Sequence, residues 1–234
     1  MPVEINVRIK EIIQRNYNVK SFRLEITDWL DFKAGQFLSV TLAGDPKLKR
    51  YLSISNSPTE KFYLEFTKKL TQSDFSVALN NLRAGDRVNI QYPMGKFVLD
   101  ESVPKVAFLS GGIGVTPIRS ICKYVVDKNI GTDIVLIYSN RSTRDIVFKD
   151  DFSAMSRSCP LLRVAHVLCE AEQGFKCTVG QINVSVIKNE IFDYLDRKFY
   201  LCGPPQMVEA MRRILTDELG LSVEKIITEN FQGY

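Results

Sequence analysis

The sequence has 234 residues, 45% hydrophobic and 25% charged, with a net charge of +4; that length holds one large domain or two small ones and buries a core without staples. Its five cysteines fall at irregular spacing with no Cys-x-x-Cys pair, which argues against a disulfide framework and a four-cysteine iron–sulfur site and for a reducing compartment. The basic residues form no long run, the densest group being Lys47-Leu48-Lys49-Arg50, and this speaks against a nucleic-acid partner.

The N-terminal residues Met1 to Lys10 alternate polar and apolar with no leader-like apolar segment, and no stretch approaches the ~18 apolar residues of a membrane span, so a cytoplasmic protein is expected. Val3 to Ile9 alternates with period two, as a half-buried strand does. Val19 to Ile26 repeats the pattern, with Phe22, Leu24 and Ile26 on one face. Phe37 to Leu42, Tyr51 to Ser55, Phe62 to Phe66 and Arg87 to Gln91 follow. They are separated by turn signals at Ala34-Gly35, Gly44-Asp45-Pro46, Asn56-Ser57-Pro58 and Ala84-Gly85-Asp86. A short helix over about Ser73 to Leu82 interrupts them. Short strands with regular turns predict an antiparallel barrel or sandwich.

The rhythm changes near Phe97 to Pro104, which divides the chain into residues 1–100 and 101–234. Beyond it, apolar strands at 106–109, 134–138, 161–167, 199–202 and 225–228 alternate with helices at about 117–127, 145–155, 184–195 and 205–219, the last ended by Gly220. Buried strands alternating with helices predict a parallel sheet.

The segment Ser110-Gly111-Gly112-Ile113-Gly114-Val115-Thr116-Pro117 lies between the first of these strands and its helix. Glycines there let the backbone approach a phosphate, and a helix N-terminus favours an anion; a tight turn needing positive φ would use the same residues. It is not the G-x-G-x-x-G fingerprint, because Pro117 replaces the third glycine.

This segment resembles the nicotinamide-domain signature of the ferredoxin–NADP reductase family, and four others resemble that family's motifs in the same order. They are Arg50-Tyr51-Leu52-Ser53, Pro93-Met94-Gly95-Lys96-Phe97, Cys202-Gly203-Pro204-Pro205 and Glu229-Asn230-Phe231. The resemblance covers essentially the whole chain. It implies an N-terminal antiparallel β-barrel flavin domain and a C-terminal α/β parallel-sheet nucleotide domain, binding FAD, or alternatively FMN, and NADPH or NADH.

The resemblance also implies roles. Arg50 pairs with the flavin phosphate, a group that suits the guanidinium fork. The Ser53 hydroxyl sits near flavin N5. Tyr51 and Leu52 belong to the same stretch. Leu52 stands where the family carries an aromatic ring, and Tyr51 has the opposite strand parity. Thr67 and Lys68 meet the flavin tail. Ser76 faces the pyrophosphate at the start of the short helix, although Ser73 replaces the family's loop glycine and also suits a helix cap. Gly111, Gly112, Gly114, Thr116 and Pro117 bind the pyridine nucleotide, together with Gly203 and Pro204. Cys202 touches the nicotinamide, Glu229 joins the reacting centre, and Phe231 lies against the flavin. Arg141, with Ser139, Ser142 or Arg144, meets a 2′-phosphate; no acid lies between Tyr138 and Asp145, which favours NADPH. The sole histidine, His166, is given no role.

The function implied is hydride transfer from NAD(P)H to bound flavin, with electrons passed to a separate acceptor such as ferredoxin, flavodoxin or an oxygenase component. Two other readings stay open: a reductase of free flavin, favoured by Leu52 and the missing loop glycine, and a non-catalytic flavin-binding subunit, disfavoured by the presence of Ser53, Cys202 and Glu229.

Overall fold

The computed structural model describes residues 2–26 and 31–230. Contacts divide the chain into two units. One runs up to Leu99 and includes Thr116–Tyr124; the other holds Asp100–Val115 and most of the chain from Val125.

The first unit contains β1 (Val3–Asn16), β2 (Val19–Glu25), β3 (Phe37–Thr41), β4 (Lys49–Ser53), β5 (Tyr63–Lys69), α1 (Asp74–Asn80) and β6 (Arg87–Met94). The strands pair antiparallel in the order β4-β3-β6-β1-β2-β5. An isolated bridge from Ile54, just past β4, to Phe66 in β5 joins the two ends of that order, so the sheet closes as a barrel. The alternation expected from the sequence puts Phe22, Leu24, Leu38, Val40, Leu52, Ile54 and Phe66 inside one core, each large side chain contributing ~1.5–3 kcal/mol. β1 runs well beyond the predicted Ile9, because the barrel wraps it against both β6 and β2.

The opposite face of β2 and β5 carries a buried polar network. Glu65 accepts hydrogen bonds from Arg15 (3.1 Å), Arg23 (2.9 Å) and Ser55 (2.9 Å), and Thr67 contacts Ser21 (2.7 Å) and Ser55 (2.9 Å). Helix α1 is capped by Ser73, whose hydroxyl accepts from the Ser76 N–H at 3.4 Å.

Helix α2 (Val115–Lys128) is shared, with Thr116–Tyr124 grouped with the first unit; the second unit further contains β7 (Lys105–Gly111), β8 (Asp133–Asn140), α3 (Lys149–Ser158), β9 (Leu162–Leu168), β10 (Thr178–Val179), α4 (Val184–Glu190), β11 (Lys198–Gly203), α5 (Pro205–Arg213) and β12 (Ile226–Asn230). All its strands pair parallel, in the order β10-β9-β8-β7-β11-β12. The order reverses between β7 and β11. In an open α/β sheet that switch point, at the carboxyl ends of the strands, is where ligands bind.

Several predicted helix bounds shift. Helix α2 begins at Val115 rather than Pro117, so Pro117 sits in the first turn, where its missing N–H costs nothing. The predicted 145–155 helix is a 3₁₀ turn, Thr143–Asp145, and then α3, separated by Phe148 at φ 59°. The predicted 184–195 helix ends at Glu190, and the 205–219 helix passes into a π-helical turn at Ile214–Glu218. Two-residue β10 went unpredicted. Among the described residues no helix is long and apolar enough to cross a membrane.

Candidate functional site

The glycine segment forms the end of β7, a 3₁₀ turn at Gly112–Gly114, and the start of α2. Two glycines are needed for different reasons. Gly112 has φ 54°, and a Cβ there would meet nothing within 4 Å. Gly114 lies so close to β11 that a Cβ would stand 2.4 Å from the Cys202 carbonyl oxygen. No side chain caps the start of α2, so the first-turn N–H groups present a cradle that fits phosphate oxygens. Thr116 is buried within that turn. The Tyr138 hydroxyl donates to the Gly112 carbonyl at 2.9 Å and accepts from the Val147 N–H at 3.3 Å, which fixes the loop from beneath.

Parallel register places five residues in one line across the sheet: His166, Tyr138, Ser110, Cys202 and Glu229. Laterally paired residues share a face. Ser110 and Cys202 are fully buried. The Ser110 Oγ and the Glu229 Oε2 are buried without a hydrogen-bond partner among the described residues. Burial pushes the Glu229 carboxyl up to about 7. Burial, and then the Glu229 charge, push the Cys202 thiol far up, so Cys202 is a neutral, compact group and no thiolate nucleophile. Gly203 and Pro204 follow Cys202 into α5, with Gly203 packed beside Gly111. The His166 ring lies between Tyr138 (6.0 Å) and Phe175 (5.2 Å), and burial lowers its pKa, which suits a packing role.

Arg141 follows β8 and is exposed, with its Nε donating to Glu170 at 2.9 Å. Thr143 donates to Glu172. The absence of an acid between Tyr138 and Asp145 in sequence therefore does not hold in space.

In the first unit Arg50 donates to the carbonyls of Lys47 (3.2 Å) and Lys49 (2.7 Å), with its guanidinium 5.4 Å above the Phe75 ring. Lys68 is buried. Burial and then the nearby Arg50 and Lys69 lower its ammonium to about 8. Two neighbouring cations, one of them buried, fit an anionic phosphate. The Ser53 Oγ is buried with no partner among the described residues, as fits a ligand edge. Leu52 turns into the core, while Tyr51 lies on the face shared with Ser53 and Phe37, edge-on to the Phe37 ring at 5.8 Å. The Thr67 hydroxyl is spent on Ser21 and Ser55. Ser76 bonds through its hydroxyl with Ser73 and Thr71. Phe231 lies outside the described residues.

Sequence reasoning did not single out Glu170, Glu172 or the unpaired Ser110 hydroxyl. Adjacency of β8 and β9 would have brought the acids to Arg141, since the loops after neighbouring parallel strands lie side by side. The row itself needed register, which periodicity does not supply.

Two family models match: an oxidoreductase FAD-binding domain over residues 4–99 and an oxidoreductase NAD-binding domain over residues 108–213. The chain is 31% identical to the glycine betaine monooxygenase reductase subunit of Chromohalobacter salexigens, over 90% of this chain and 60% of that protein. It is 29% identical to NADH-cytochrome b5 reductase 1 of Aspergillus fumigatus, over 94% of this chain and 76% of the relative. It thus spans about 60% of the length of the first of these relatives. Among solved structures, a ferredoxin NADP+ reductase from Neisseria gonorrhoeae with bound FAD and NADP superposes with a TM-score of 0.83 at 21% identity, over 97% of this chain and 98% of that one. The cytochrome b5 reductase domain of Ulva prolifera nitrate reductase superposes with a TM-score of 0.86 at 19% identity, over 97% of each.

Proposed function

The chain belongs to the ferredoxin–NADP reductase family of flavin and nicotinamide oxidoreductases, and from that premise we propose that it oxidises NADH or NADPH, reduces a bound FAD and delivers electrons to a separate acceptor. The observation that carries this reading is the row Ser110–Cys202–Glu229 at the switch point of the parallel sheet. Buried polar groups are nearly always hydrogen-bonded, so a Ser110 hydroxyl and a Glu229 carboxylate oxygen with no partner among the described residues suit a polar ligand edge.

The hydride chemistry is that of the bound flavin and nicotinamide, and the protein supplies position and charge. Arg50 and Lys68 hold flavin phosphate, with Ser76 and the Thr67 backbone beside them. The Ser53 hydroxyl bonds the flavin edge, on a strand whose neighbours Tyr51 and Leu52 set its facing. The turn from Gly111 through Gly112 and Gly114 to Thr116 and Pro117 takes the nucleotide phosphates, and Gly203 and Pro204 border it. Cys202 gives the nicotinamide a compact neutral contact. Glu229 holds or releases a proton at Oε2 near neutrality. Arg141 borders the adenosine ribose.

The domain boundary falls near residue 100, and the protein works in the cytoplasm. The acceptor is ferredoxin, flavodoxin or an oxygenase component. The likeness to glycine betaine monooxygenase reductase subunits supports an acceptor on another chain.

Reduction of free flavin is a second reading, favoured by Leu52 facing the core and by Ser73 in place of the loop glycine. Gel filtration of the purified protein, with release and identification of its flavin, decides between them. Co-eluting stoichiometric FAD supports the prosthetic reading. A colourless protein that oxidises NAD(P)H only when flavin is added supports the second.

A further inference from the structure

We infer that Glu170 is a specificity-determining residue that makes the nucleotide site select NADH over NADPH; the inference rests on the reductase reading above. It starts from the adjacent carboxyl ends of β8 and β9, where Asn140 pairs with Leu168. The segments that follow are laced together. The Cys169 N–H donates to the Asn140 carbonyl at 3.2 Å, and the Glu170 N–H donates to the Arg141 carbonyl at 2.8 Å. The Glu170 backbone is thereby fixed opposite Arg141, and its carboxylate reaches the Arg141 Nε at 2.9 Å.

The other donors of the loop are engaged in the same way. The Ser142 hydroxyl and N–H both go to Asp145, at 2.7 and 3.1 Å. The Thr143 hydroxyl goes to Glu172. Arg141, Ser142 and Thr143 are three donors within reach of a 2′-phosphate, and each already faces a carboxylate. Of the nearby cations, Lys149 lies over the Phe175 ring at 4.7 Å, and Arg144 belongs to the same 3₁₀ turn as Thr143.

An exposed ion pair such as Arg141–Glu170 is weak by itself. The selection comes from what enters. A 2′-phosphate would bring about two negative charges among three carboxylates and would have to displace Glu170 from Arg141. A ribose 2′-hydroxyl instead donates a hydrogen bond, for which Glu170 is an acceptor.

The test is calorimetric titration of the flavin-loaded protein with adenosine 5′-monophosphate and with adenosine 2′,5′-bisphosphate. The wild type should bind the monophosphate at least about tenfold more tightly, a difference of ~1.4 kcal/mol. Glu170→Gln should shrink that ratio at least about fivefold, the double variant Glu170→Gln/Glu172→Gln should shrink it further, and added salt should narrow the wild-type gap. A wild type that binds the bisphosphate as tightly as the monophosphate, or a ratio unmoved by Glu170→Gln, overturns the inference. The ratio is read whether or not flavin is reduced. A protein with the expected ratio that fails to reduce its flavin supports this selectivity and sinks the reductase reading.

Discussion

At the residue scale, buried groups with mismatched surroundings set the chemistry. Burial raises the Glu229 carboxyl from an ordinary 4.5 to about 7. The folded chain then holds that proton more tightly than the unfolded chain does. Its stabilising effect is fully present below the unfolded value, declines as pH rises from about 4.5, and is gone above about 7. Urea midpoints should therefore fall between about pH 5 and pH 8 more in the wild type than in Glu229→Gln. Parallel declines in the two proteins would show that the carboxyl does not titrate there. Cys202→Ser puts a smaller, more polar hydroxyl in place of the thiol; it should slow flavin reduction at least about tenfold in stopped flow while flavin content stays intact. Unchanged rates would remove Cys202 from the nicotinamide contact. Arg50→Ala takes away one of two neighbouring cations and should lose flavin on gel filtration; full retention would end its phosphate role.

At the element scale, packing decides. Arg197, at the N-terminal edge of β11, is almost fully buried. It donates to the Val106 carbonyl at 3.1 Å, to Asp133 at 2.9 Å and to Asp193 at 2.7 Å. It thus ties the starts of β7 and β8 to its own strand. Burial alone would raise Asp193, but hydrogen bonds from Arg197 and Lys105 overcome that and hold it at about 2. This pair contributes above the unfolded carboxylate value and is lost as pH falls toward about 2. Arg197→Met should cost ~3 kcal/mol in urea unfolding near neutral pH, because it strands partly buried carboxylates; a loss under ~1 kcal/mol would mean water replaces the guanidinium. Gly114→Ala should cost ~2 kcal/mol or more, since its Cβ would press on the backbone of Cys202.

What could be read beforehand follows from the same physics. Alternation at Phe22, Leu24 and Ile26 reported the barrel wall, because a strand with one buried face writes period two into its sequence. The glycines at 112 and 114 were legible because backbone conformation and close approach allow few other residues there. Helix ends were less legible: nothing in composition distinguishes a π-helical turn at Ile214–Glu218 from more α-helix. The carboxylates facing Arg141 and the Glu65 network were hidden for another reason. Each joins residues far apart in sequence, and strand order and register alone bring them together.

At the scale of the whole molecule, each of the two units carries groups that suit one cofactor of the proposed reductase. The barrel offers Arg50, Lys68 and a buried Ser53 hydroxyl with no partner among the described residues. The parallel sheet offers the glycine turn and the Ser110–Cys202–Glu229 row. Both units match family models for the corresponding cofactor domains. The central claim is that electrons enter from a nicotinamide and reach a flavin held by this chain. Anaerobic titration of the purified, flavin-loaded protein with NADH and with NADPH, followed by flavin absorbance, tests it most directly. The expected result is stoichiometric bleaching, at lower concentrations of NADH than of NADPH. A flavin that dithionite bleaches but neither nucleotide reduces would contradict it.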